Sequence, residues 1–72
     1  MNKDVWIARD QDGRLSLFFH GKPEKREGEV GQGYWDNDSW DGIVITDDNN
    51  EFKNISWGDA EATKVKITIE KI

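Results

Sequence analysis

No segment of this chain longer than a few residues sets its apolar side chains at helical spacing. Apolar and polar residues alternate in short runs, and turn-forming residues interrupt them about every eight to twelve positions, the pattern of a small all-β domain. Size tightens that restriction. Seventy-two residues make a single domain over 1–72, and a chain this short hides only about 60% of the surface its unfolded form exposes. Cysteine is absent, so neither a disulfide nor a thiolate metal site can staple the fold. Packing must hold it, and the four tryptophans are the largest side chains available. Each one fully buried contributes about 4–6 kcal/mol of gross stabilisation, which favours placing most of them inside.

The first hairpin is the most sharply specified. Val5 to Asp10 and Arg14 to His20 flank Gln11-Asp12-Gly13, with Asp10 opening a type I turn and Gly13 at the position that needs a left-handed backbone. This loop pairs Ile7 with Leu17, Trp6 with Phe18 and Val5 with Phe19. Val5, Ile7, Leu15, Leu17 and Phe19 then share one face, and Trp6, Ala8, Ser16 and Phe18 the other. Residues 21–28 read as a charged loop, because Lys22-Pro23-Glu24-Lys25-Arg26-Glu27 holds no large apolar side chain.

A second hairpin is expected from Glu29 to Trp35 and Trp40 to Thr46, turning at Asp36-Asn37-Asp38-Ser39. Its register sets Trp35 opposite Trp40, Val30 opposite Ile45 and Gln32 opposite Ile43. The two tryptophans would then stand with Val44 over Gly31, Gly33 and Gly42. Phe52 to Trp57 reads as a short fifth strand, and Lys64 to Ile72 as a sixth with Val65, Ile67 and Ile69 on its dry face. Six short antiparallel strands most simply curl into a small barrel or a tight two-layer sheet, with an SH3-like barrel as the nearest analogy.

Val5-Trp6-Ile7-Ala8-Arg9-Asp10-Gln11-Asp12-Gly13-Arg14-Leu15, with Ile55-Ser56-Trp57 and the alternating tail, resembles a family of small uncharacterised proteins from gut Bacteroides-type bacteria and their mobile elements. The resemblance covers about half the chain and implies a phage or mobile-element context, with no activity attached.

Chemistry is sparsely encoded. His20 is the only histidine, and no serine has a context that activates its hydroxyl, so the expectation is a non-enzymatic protein without a cofactor. Asp36, Asp38, Asp41 and Gly42 resemble part of a calcium loop, but Trp40 and Asp41 fall where an EF-hand wants an oxygen ligand and glycine. No metal is expected. Residues 36–61 hold one basic side chain, Lys53, against eight acidic ones, a local charge of −7 within a net −5. That block argues against direct nucleic-acid binding and against anionic membranes. With a charged amino terminus and no apolar run of spanning length, the expected location is the cytoplasm.

The expected function is therefore protein binding by a monomer or weak homodimer. The candidate surface is Trp35 and Trp40 with Asp36, Asp38 and Asp41, extended by Trp6 and Phe18. Two alternatives stay open. The acidic block on a small β scaffold has the character of a nucleic-acid mimic that occupies a host DNA-binding protein, and a facing tryptophan pair suits a sugar-stacking platform.

Overall fold

The computed structural model describes residues 2–72, and every regular element among them is a β-strand. The strands are β1 (Asn2–Arg9), β2 (Leu15–Phe18), β3 (Glu24–Arg26), β4 (Tyr34–Asp36), β5 (Ile43–Ile45) and β6 (Thr63–Thr68). Four of them form an antiparallel sheet in the order β5-β2-β1-β6, and β3 pairs with β4 as a separate hairpin. The sheet is open: β5 and β6 are its two outer strands, and it does not close into the barrel suggested by the sequence. Closure fails because the 29–46 segment divides, β4 leaving to join β3 while β5 joins β2.

The first hairpin has the expected register, with Trp6 opposite Phe18 and Ile7 opposite Leu17. Its turn is closed by Asp10 N donating to Arg14 O at 2.8 Å and Gly13 N to Asp10 O at 2.9 Å, with Gly13 at φ 97°. β6 runs against β1 from Asn2 opposite Thr68 to Ile7 opposite Thr63. It is shorter than the sequence suggests, since Ile69 to Ile72 fall outside any strand.

Alternation in β1 and β2 serves two dry faces rather than one. On the first face Ile7, Leu15 and Ile55 are buried together, with Leu17, Ile45, Phe52 and Val65 packed around them. Across the sheet Ala8, Phe18, Trp35 and Ala62 form a second cluster, flanked by Trp6 and Trp57. Each large side chain fully buried in this way contributes about 1.5–3 kcal/mol.

Residues 52–57 make turns, not the expected fifth strand. Phe52 and Ile55 cap the first face, and the Arg9 guanidinium ties their backbone down. Its Nε donates to Ile55 O at 2.8 Å, Nη2 to Phe52 O at 3.3 Å and Nη1 to Gly13 O at 2.8 Å. Side-chain donors thus replace a ladder for this segment. Residues 24–26 are corrected in the opposite sense: the charged run expected as loop supplies β3, with Lys25 opposite Trp35.

Candidate functional site

The tryptophans expected to face each other are separated. Trp35 lies on β4 and is 5% exposed, its Nε1 donating to Arg9 O at 3.0 Å and its amide to Asp10 Oδ1 at 2.9 Å. Its ring meets Trp57 edge-on, with centroids 6.2 Å apart and planes at 80°, and the Lys25 ammonium lies 5.5 Å and 4.7 Å from the two ring centroids. Trp35 is therefore a core residue. Its burial removes the two-ring platform that sugar stacking needs. The glycine floor disappears as well, since Gly33 lies against Trp57 and Gly42 against Phe18.

Trp40 is the opposite case. It is 80% exposed, and its backbone sits at φ 54°, in the left-handed region where bulky side chains are outliers. Holding an L-residue there costs about 1–2 kcal/mol, so the surrounding turn must impose it. The imposing residue is Asn37, 4% exposed. Asn37 Nδ2 donates to Asp41 Oδ1 at 2.6 Å and to Gly21 O at 3.2 Å, its Oδ1 accepts from Asp41 N at 3.4 Å, and its backbone O accepts from Trp40 N at 3.3 Å. Asp36 Oδ1 accepts from Asn37 N at 2.9 Å.

Asp41 completes the turn by reaching the end of β2. Its carboxylate accepts from the amides of Phe19 at 3.3 Å and His20 at 2.8 Å, and His20 Nδ1 lies 2.6 Å from Oδ2. Burial alone would raise this carboxyl, but the hydrogen bonds from Asn37 and His20 and from the His20 and Phe19 amides outweigh it and hold the group below its usual range. The acids of this turn are thus largely occupied by local structure. Asp38 is fully exposed and 3.7 Å from Arg26. Elsewhere in the acidic block, Asp47 accepts from the Glu51 and Phe52 amides, and Asp59 from Ser56.

Of the other candidate residues, Phe18 is 2% exposed and cannot meet a partner. Trp6 is half-buried, with the ammonium groups of Lys22 and Lys64 at 5.6 Å and 5.5 Å from its ring. The residues the structure brings together are Asp36, Asp38, Trp40 and Asp41, and next to them the outer strand β5.

β5 is the feature that sequence reasoning passed over. Ile43 is 52% and Val44 60% exposed, although they point to opposite faces of the sheet. The Ile43-Val44-Ile45 run carries no lysine, arginine or proline to guard an outer edge, whereas β6 carries Lys64 and Lys66. Three consecutive β-branched residues were the available signal, hidden because the expected register placed them inside a hairpin. Among the described residues no group of three or more histidine, aspartate or glutamate side chains is placed to hold a metal ion. No protein-family model, curated protein or solved structure matches the chain.

Proposed function

We propose that this chain is a non-enzymatic protein-binding module whose contact surface is Trp40 together with the exposed side of β5. The observation that carries this reading is the combination at Trp40: a large aromatic ring in solvent, on a backbone conformation that costs energy, held by a buried polar turn. Neither the exposure nor the strain serves the core. Exposed tryptophan on a rigid support is the usual chemistry of an interface hot spot. Ile43 and Val44 continue the apolar surface along the adjacent edge.

The nucleic-acid-mimic reading draws less support, because several carboxylates of the acidic block cap local turns instead of forming a free strip. Sugar stacking draws less still, since among the described residues the paired rings are Trp35 and Trp57, and Trp35 is 5% exposed.

A photoreactive side chain placed at position 44 and, separately, at position 66 tests the assignment in cells. Position 44 should give protein adducts that Trp40→Ser abolishes, while position 66 gives none. Trp40→Ser itself should change unfolding free energy by less than about 1 kcal/mol, since the ring is 80% exposed and serine keeps the same left-handed backbone. Adducts at 66 and none at 44, or a Trp40→Ser variant that unfolds, would remove the basis of the proposal.

A further inference from the structure

The geometry points to His20 as a phosphoryl-acceptor site: Asp41 holds the imidazole by Nδ1 and leaves Nε2 as the nucleophile toward a phosphoramidate-class donor. Such a modification site is separate from partner binding at Trp40 and does not depend on it.

His20 lies just past β2, and its backbone is pinned on both sides. The Phe19 and His20 amides donate to the Asp41 carboxylate at 3.3 Å and 2.8 Å, and Gly21 O accepts from Asn37 Nδ2 at 3.2 Å. The ring is then fixed by its own bond, Nδ1 lying 2.6 Å from Asp41 Oδ2. Asn37 Nδ2 steadies the same carboxylate, donating to Oδ1 at 2.6 Å. Asn37 is buried, the Asp41 side chain is 17% exposed and the His20 side chain 67%. A buried amide thus orients a shielded carboxylate, and the carboxylate orients a ring that stands in solvent. Asp41 would cap the end of β2 with the two amides alone, and a ring so exposed adds little to the core.

An ionised carboxylate only accepts hydrogen bonds, so a neutral His20 carries its proton on Nδ1. The donors converging on Asp41 hold it ionised. The lone pair therefore falls on Nε2. The same carboxylate–imidazole coupling orients the base of hydrolase triads and the ligating nitrogen of many metal sites. An acyl group on such a ring needs donors for its oxyanion, and the adjoining Phe19 and His20 amides are already committed to Asp41. A phosphoryl group carries charge that water solvates. In the transfer the Nε2 lone pair forms the new N–P bond as the donor's P–N bond breaks. That bond's electron pair leaves on the donor nitrogen, which departs as ammonia from N-protonated phosphoramidate. The ring becomes an imidazolium whose Nδ1–H still donates to Asp41, so the ion pair offsets the new charge without a proton moving.

Two measurements on the intact chain test this. Long-range nitrogen–proton spectra above about pH 8, where an imidazole is neutral, should show His20 protonated on Nδ1, the tautomer that free histidine disfavours. Phosphoramidate should then phosphorylate His20 on Nε2 alone and faster than it forms that isomer on N-acetylhistidine, which gives both ring isomers; phosphorus resonances distinguish them. Asp41→Asn keeps an acceptor but not the charge, and should slow the reaction about threefold to tenfold. An Nε2–H tautomer, an Nδ1-phosphoryl product, a rate no faster than that of N-acetylhistidine, or an unchanged rate in folded Asp41→Asn overturns the assignment. If that variant does not fold, the tautomer and the product isomer of the unaltered chain decide it.

Discussion

Replacing Gly33 by alanine probes whether the tryptophan core is packed as described, and it should destabilise the domain by roughly 2 kcal/mol. A Cβ at Gly33 would overlap Trp57 Cζ2 and stand 2.6 Å from Cη2 and 3.0 Å from Gln11 Oε1. The backbone there is pinned, with Gly33 N donating to Gln11 Oε1 at 2.9 Å and Gly33 O accepting from Gln11 N at 3.0 Å. The Trp57 ring must therefore give way. Overpacking of this kind costs about 1–3 kcal/mol, and loss of the edge contact with Trp35 adds about 0.5–1.5 kcal/mol. Against these, alanine restricts the unfolded chain and returns about 0.4–1 kcal/mol. The balance is a loss of about 0.5–4 kcal/mol. In a Trp57→Ala background the ring overlap is gone and only Gln11 Oε1, at the end of a flexible side chain, stays close, so the same substitution should cost far less, within about 1 kcal/mol of neutral. Urea unfolding followed by far-ultraviolet circular dichroism measures all four proteins of the cycle without relying on tryptophan emission. An equal effect of Gly33→Ala in both backgrounds would refute the packing argument.

Further expectations concern the polar residues. Asn37→Ala removes three side-chain hydrogen bonds at a buried site and should cost about 2–4 kcal/mol in urea unfolding, whereas Asp38→Ala, fully exposed, should be nearly silent. Burial pushes the Asp10 carboxyl above its usual 3.8, against the pull of the Trp35 amide, so ionising it penalises the folded state and stability falls as pH rises through its folded pKa. Asp10→Asn keeps the acceptor for that amide and should raise the urea midpoint at neutral pH, with the gain vanishing below about pH 3.8. Asp41 has the opposite sign: its folded pKa is depressed, so its contribution is present above about pH 3.8 and is lost as pH falls through the lower folded value. Asp41→Asn should therefore lower the midpoint near pH 7 and flatten the acid limb of the stability profile.

The sequence was most legible where local turn chemistry and alternation agreed. Asp10 and Gly13 specify the first turn, and any slip of register would mix Ile7 and Leu17 with Trp6 and Phe18, so the β1–β2 pairing followed. The alternation of Val65 and Ile67 likewise marked β6. The middle of the chain was illegible for a different reason. Glu24-Lys25-Arg26 has no apolar side chain to betray a strand, and its pairing with β4 leaves Trp35 covered by the stem and ammonium of Lys25. Trp35 and Trp40 looked equivalent because both flank a polar turn, yet one end of that turn enters the core and the other leaves it. What separates them is Asn37, whose partners Gly21 and Asp41 come from different segments. Turn composition alone cannot distinguish a solvated asparagine from one that anchors two loops. Phe52, Ile55 and Trp57 misled for a related reason: the Phe52 and Ile55 carbonyls are satisfied by Arg9, a residue on β1.

The pairing of β1 with β6 also sets how this chain reaches its native state. Asn2 meets Thr68 and Ile7 meets Thr63, so the central strand acquires one of its two neighbours only after nearly the whole chain has closed into a ring. Closure entropy must be overcome before that contact returns any energy, and topologies of this type fold in about milliseconds to seconds where local hairpins form in microseconds. The β1–β2 hairpin can form early, but Val5 and Ile7 keep an open flank until β6 docks. Substitutions in the Asp10–Gly13 turn should therefore act mainly on the folding rate and those in β6 mainly on the unfolding rate, a kinetic division that equilibrium melts do not reveal.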